Sequence, residues 1–142
     1  MNKMIYADNA ATTRITQPVL KAMLPYLTEG YGNASSIYRL GRESGQAIVE
    51  ARAKVAAALG AEPIEIYFTG GGSEGDNWII KSIARRLAAQ GKKHIITSEF
   101  EHHAVLHTVD RLEKEGFAIT RLPVTSQGYV TVESVKQAIR PD

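Results

Sequence analysis

The sequence predicts an α/β fold, a mostly parallel sheet flanked by helices. Three observations carry this reading. From Ile64 onward, short β-branched runs alternate with longer stretches of helical period. Glycines punctuate the helical stretches: Gly60, Gly91 and Gly116 each stand where a helix C′ residue belongs. Gly70, Gly71 and Gly72 form a tight turn between the first run and its helix, as strand–turn–helix units require. Strands alternating with helices imply parallel pairing through right-handed crossovers.

Taken in order, Tyr6 to Thr13 is small and polar, and residues 1–16 read as an N-terminal arm. A helix follows with Thr16 as N-cap, Pro18 in the first turn, and Val19, Leu20, Met23 and Leu24 on a buried side. Pro25 limits or kinks it. Tyr31 to Tyr38 is a loop by composition. Residues 41–59 are helical again, with Ile48, Val55 and Leu59 on one stripe. Then come strand 64–69, helix 73–90, strand 94–99 and a helix over 102–115 with Val105, Val109 and Leu112 on one side. Strand 117–122 and a last helix capped by Thr131 complete the pattern. The sequence stops at Asp142 straight after a helix, and so reads as cut.

Composition narrows the function. The 142 residues suffice for one ordinary domain with a core, and 44% hydrophobic with 23% charged residues is a globular balance. A net charge of +2, with bases and acids interspersed, argues against a nucleic-acid surface. There is no cysteine, hence no disulfide and no thiolate zinc site. No stretch is long enough to span a membrane and the start lacks a signal peptide's apolar run, so a cytoplasmic protein is expected.

The glycine turn carries the chemistry. The first amides of the following helix have no intrahelical partner and stand at the positive end of its dipole, a place that binds anions and most often phosphate. An isolated Gly-Gly-Gly is more often turn chemistry alone. Here it lies in a βαβ context, and Ser73 adds a hydroxyl at the N-cap position that can donate to a phosphate. A rival reading takes Gly70, Gly72 and Gly75 as a G-x-G-x-x-G dinucleotide fingerprint, with Glu99 as the ribose-binding acid. Such units usually open their domain, whereas more than 60 residues precede this one. No Gly-Lys-Ser/Thr follows, which excludes a Walker-A loop.

In a parallel sheet the ends of neighbouring strands share an edge, so His102, after strand 94–99, is expected over the same crevice as Ser73. An imidazole there can stack on a flat ring and exchange protons near neutral pH. Taken alone, a surface histidine at a helix start is the more common case. His103 and His107 are i, i+4 on one helix face, but no H-E-x-x-H pattern or third ligand accompanies them, and no metal is expected.

Four blocks in this order then resemble one family: Tyr6 to Thr13, Gly32-Asn33-Ala34-Ser35-Ser36, Phe68 to Glu74, and Glu101 to Leu106. Leu122 to Val124 and Ala138 to Asp142 fit it as well. The chain resembles the N-terminal portion of the cysteine desulfurases of the NifS/IscS type, in the class V aminotransferase group of pyridoxal-phosphate enzymes. The resemblance implies the leading part of the large domain of a transferase of the aspartate-aminotransferase type, over residues 17–142. It implies a cofactor, pyridoxal 5'-phosphate, whose phosphate is held by Gly72 and Ser73. It also implies that His102 stacks on the cofactor ring and takes part in proton transfer, as a catalytic residue. Ala10 and Asn33 fall near the substrate end of the pocket. The implied activity takes sulfur from L-cysteine, giving L-alanine and an enzyme persulfide for iron–sulfur or thio-cofactor assembly. The implied partners are a sulfur-acceptor or scaffold protein and a second copy in a homodimer.

Departures from the family pattern are Ser73 for threonine, Arg14 for proline, Tyr38 for histidine, and Gly75-Asp76 for a Ser-Asn pair. No lysine stands in the Ser-x-His-Lys context that forms the Schiff base, and the cysteine nucleophile is absent. These 142 residues alone are therefore expected to be inactive. A class V aminotransferase, a selenocysteine lyase, a dinucleotide-binding oxidoreductase domain and a non-catalytic scaffold are the other readings.

Overall fold

The computed structural model describes residues 4–142; the first three residues of the expected arm lie outside the described residues. The chain falls into two compact units, one ending at Tyr67 and the other running from Phe68 to Asp142.

In the first unit, the Asp8 carbonyl accepts the amides of Ala11 (3.2 Å) and Thr12 (3.4 Å), closing a turn. Helix α1 spans Gln17–Thr28, with Pro18 in its first turn and Thr16 at the cap position, where its side chain makes no capping bond. Pro25 lies inside the helix, which continues one turn to Thr28. The expected buried side is not buried: Val19, Leu20, Met23 and Leu24 are all exposed. A pattern of apolar residues specifies a face, but burial needs a covering surface, and none buries these four residues among the described residues. Helix α2, Arg39–Leu59, starts two residues before the expected position and ends on Gly60 at φ 67°, a left-handed cap. Its stripe at Ile48, Val55 and Leu59 is likewise exposed, while Gly41 and Ala56 are buried.

The expected strand 64–69 is not a strand. Pro63–Glu65 forms a 3₁₀ turn, closed by Glu65 N–H donating to Glu62 O (2.9 Å) and by the Glu62 amide donating to Glu65 Oε2 (2.8 Å). Ile66 is extended (φ −99°, ψ 122°), but 66–69 joins no ladder among the described residues. β-branched residues favour extended backbone; a strand also needs a neighbour to pair with.

The second unit carries the α/β order. Helix α3 (Gly72–Ala88), strand β1 (His94–Ser98), helix α4 (His103–Lys114), strand β2 (Ala118–Leu122) and helix α5 (Val132–Ala138) follow in sequence. β1 and β2 are parallel, in register from His94 opposite Ala118 to Ser98 opposite Leu122. The crossover between them is α4. Its stripe is buried as expected at Val109 and Leu112, and Ala84 of α3 packs with Leu112 and Phe117. Ile80, Ala88, Ile95 and Ile119 flank this core. Gly91 (φ 82°) and Gly116 (φ 93°) end the two helices in backbone that L side chains rarely adopt. The Thr131 hydroxyl caps α5 by accepting from Ser134 N–H (3.1 Å).

Ion pairs fix α4 to its neighbours. Arg121 of β2 reaches Asp110 (2.7 Å) and Glu113 (2.8 Å), and Glu115 receives Arg111 (2.8 Å) and Arg85 of α3 (3.1 Å). These guanidinium hydrogen bonds hold the Glu113 and Glu115 carboxyls below the ordinary glutamate range. No described helix is long and apolar enough to cross a membrane.

Candidate functional site

The glycine turn opens α3 as the sequence requires. Gly71 is the N-cap residue, with extended backbone, and Gly75 N–H makes the first bond back, to Gly71 O (3.1 Å). The amides of Gly72, Ser73 and Glu74 therefore precede the helical ladder, and no described residue accepts them. A Cβ added at Gly71 or Gly72 would meet nothing within 4 Å, so the approach to these amides is open. Ser73 is therefore not the N-cap, as its sequence position suggested, but the second residue of α3, and its hydroxyl has no hydrogen-bond partner among the described residues. Instead Asn77 Nδ2 donates to the Ser73 carbonyl (2.9 Å) one turn on.

Two contacts set the shape of the turn, and neither was anticipated. Thr69 Oγ1 donates to Gly71 O (3.1 Å), and Gly70 N–H donates to Glu74 Oε2 (2.5 Å). The Glu74 carboxylate thus folds back over the outer glycine rather than onto the three free amides. Its first-turn position is the readable signal, since acidic side chains favour helix N-termini.

His102 is the N-cap of α4. Its Nδ1 accepts Ala104 N–H (3.1 Å), which fixes the ring orientation and assigns the proton of the neutral ring to Nε2. The ring is exposed. Ahead of it, Ser98 Oγ donates to Glu101 Oε1 (2.8 Å) and accepts Phe100 N–H (3.2 Å), so the turn from β1 into α4 is tied at both ends.

Helices α3 and α4 meet through their C-terminal halves, at Ala84 with Leu112 and Arg85 with Glu115. Ser73 lies 11 residues before Ala84, and His102 lies 10 before Leu112. At about 1.5 Å per residue, each site residue opens its helix some 15–17 Å upstream of that shared contact.

The other candidates belong to the first unit. Ala10 is exposed in the turn after Asp8. Asn33 begins an Asx turn, its Oδ1 accepting Ser35 N–H (2.9 Å) and its carbonyl accepting Ser36 N–H (2.9 Å). That loop lies tight against α2: a Cβ on Gly41 would come within 2.4 Å of Ser36 O and 2.5 Å of Asn33 O. For the dinucleotide reading, Gly75 is inside α3, Glu99 follows β1, and the strand expected before the glycines is not formed.

Three free amides, an unengaged hydroxyl and the positive end of a 17-residue helix suit a phosphate. An oriented, exposed imidazole suits a flat ring beside it. No described cluster of three or more His, Asp, Glu or Cys suits a metal ion.

The family model described as Aminotransferase class-V matches residues 5–142. Cysteine desulfurase IscS of Methanosarcina thermophila is 56% identical over 141 residues, 99% of this chain and 35% of the relative. Among solved structures, a NifS-like protein superposes with a TM-score of 0.88 at 40% identity, over 95% of this chain and 37% of that one. A structure titled SspA in complex with cysteine gives 0.85 at 39% identity, over 96% and 39%. The chain spans about a third of the length of the curated relatives it matches.

Proposed function

The chain belongs to the class-V aminotransferase family, and on that premise we propose that it supplies the phosphate-holding part of a cysteine desulfurase. The whole enzyme would take sulfur from L-cysteine, give L-alanine, and pass an enzyme persulfide to a sulfur-acceptor or scaffold protein. Residues 1–16 would be an arm and 17–142 the leading part of the large domain, in a cytoplasmic homodimer. The observation that carries this reading is the row of free amides at Gly72, Ser73 and Glu74 beside the Ser73 hydroxyl.

The family is one of pyridoxal-phosphate enzymes. That cofactor, when bound, supplies the electron sink for carbanion chemistry at the substrate α-carbon. Gly72 and Ser73 would hold its phosphate through backbone N–H and Oγ, with the α3 dipole adding favourable potential. His102 would present one face to the cofactor ring while Ala104 N–H holds its Nδ1. Its Nε2 is then the atom at which a proton is held or passed. Asn33 and Ala10 would lie on the substrate side. The thiol that takes the sulfur must come from outside these residues, since the chain has no cysteine.

A chimera tests this directly, with the chain replacing the matching third of the Methanosarcina thermophila relative. The expected chimera binds pyridoxal phosphate and releases alanine from cysteine. Ser73→Ala weakens cofactor binding by roughly 10- to 100-fold, the loss of one hydrogen bond to a charged group. A folded chimera that transaminates instead, or whose cofactor affinity ignores Ser73→Ala, would overturn the proposal.

A further inference from the structure

His103 and His107 stand one turn apart on α4, both exposed. Their rings lie face to face, centroids 5.5 Å apart and planes 15° from parallel. Two imidazoles sharing one metal ion at about 2.1 Å, with a tetrahedral angle between them, have ring centroids roughly 5 Å apart. The observed spacing is close to that value, and the near-parallel rings must turn so that one nitrogen of each faces a common point.

A second observation concerns which nitrogen faces outward. His107 Nδ1 lies 3.8 Å from Asp110 Oδ2, while the other oxygen of that carboxylate accepts from Arg121 at 2.7 Å. At that distance the two are not hydrogen-bonded, but the carboxylate's charge favours a proton on Nδ1 over one on Nε2, which leaves the Nε2 lone pair for a ligand. The two remaining histidines are already engaged. His102 Nδ1 accepts Ala104 N–H, and His94 Nε2 is 2.7 Å from Thr120 Oγ1.

We propose that His103 and His107 form a two-imidazole site on α4 for a borderline transition-metal dication, Cu²⁺, Ni²⁺ or Zn²⁺, with water completing the coordination. Imidazole pairs suit these ions and not Mg²⁺ or Ca²⁺, which take oxygen ligands. The positive end of α4 acts against a cation at His103, and the Asp110 carboxylate partly offsets it. Bound metal would cross-link the first turn of α4, directly after the N-cap histidine. The site is independent of the cofactor reading.

Calorimetric titration of the full chain with NiCl₂ or CuSO₄ at pH 7.5 tests it, with circular dichroism confirming that each variant keeps its helices. One equivalent is expected to bind. His103→Ala and His107→Ala should each weaken it at least tenfold, His94→Gln should leave it unchanged, and MgCl₂ should give no heat of binding. Affinity that survives His107→Ala would overturn the proposal. So would half an equivalent per chain, the mark of a metal bridging two copies.

Discussion

In Phe68–Asp142, Leu112, Val109 and Thr108 are all but sealed from solvent, and two strands and two helices close around them. In the unit ending at Tyr67, α1 and α2 carry comparable apolar stripes, yet only Gly41 and Ala56 are buried. The helical period is equally clear in both. What differs is the supply of covering surface: β1, β2 and α3 enclose α4, whereas the outer stripes of α1 and α2 meet nothing comparable among the described residues. Amphipathicity is a property of a segment; a core is a property of its neighbours.

Truncating one leucine in each unit breaks or sharpens this contrast most strongly. Leu112→Ala, at a fully buried site, should cost about 2–5 kcal/mol in urea unfolding. Leu20→Ala, at a site 39% exposed, should cost under about 1 kcal/mol. Comparable losses at both positions would contradict the contrast.

A smaller effect distinguishes the electrostatics of the second unit. Arg121 and Arg111 hold the carboxyls of Glu113 and Glu115 below their ordinary range. The sign follows from linkage. A depressed folded pKa contributes stability above the unfolded value of about 4.3, and that stability is lost as pH falls through the folded value. Melting temperature should therefore drop below about pH 4, modestly because these pairs are exposed. Arg121→Ala should flatten that acid limb. An unchanged slope would show that the pairs do not couple to folding.

Much of the second unit was legible in the sequence. The helices after Gly72 and His102, the strands at 94–99 and 117–122, the glycine stops and the Thr131 cap all rest on local chemistry, and each lies within two residues of its expected bounds. The strand at 64–69 was not legible, because Pro63 and the Glu62–Glu65 hydrogen bonds close a 3₁₀ turn through its first two residues and, among the described residues, no ladder partner stands beside the rest. Burial on α1 was misread for the same kind of reason, since tertiary context decides it. At the turn, the open amides followed from the glycines and the helix start. The Glu74 carboxylate on Gly70 was overlooked, although a glutamate in the first turn of a helix is a readable cue. The His102 cap of α4 is not legible either, because histidine is an uncommon N-cap residue.

The central claim is that the amides opening α3 grip a phosphate. Amide proton and nitrogen shifts of the chain, followed by NMR while pyridoxal phosphate and then inorganic phosphate are added, test it most directly. The expected result is a saturable shift at Gly72, Ser73 and Glu74 with both ligands, and at His102 and Ala104 with pyridoxal phosphate only. Shifts confined to other residues, or none at Gly72 and Ser73 with either ligand, would contradict it.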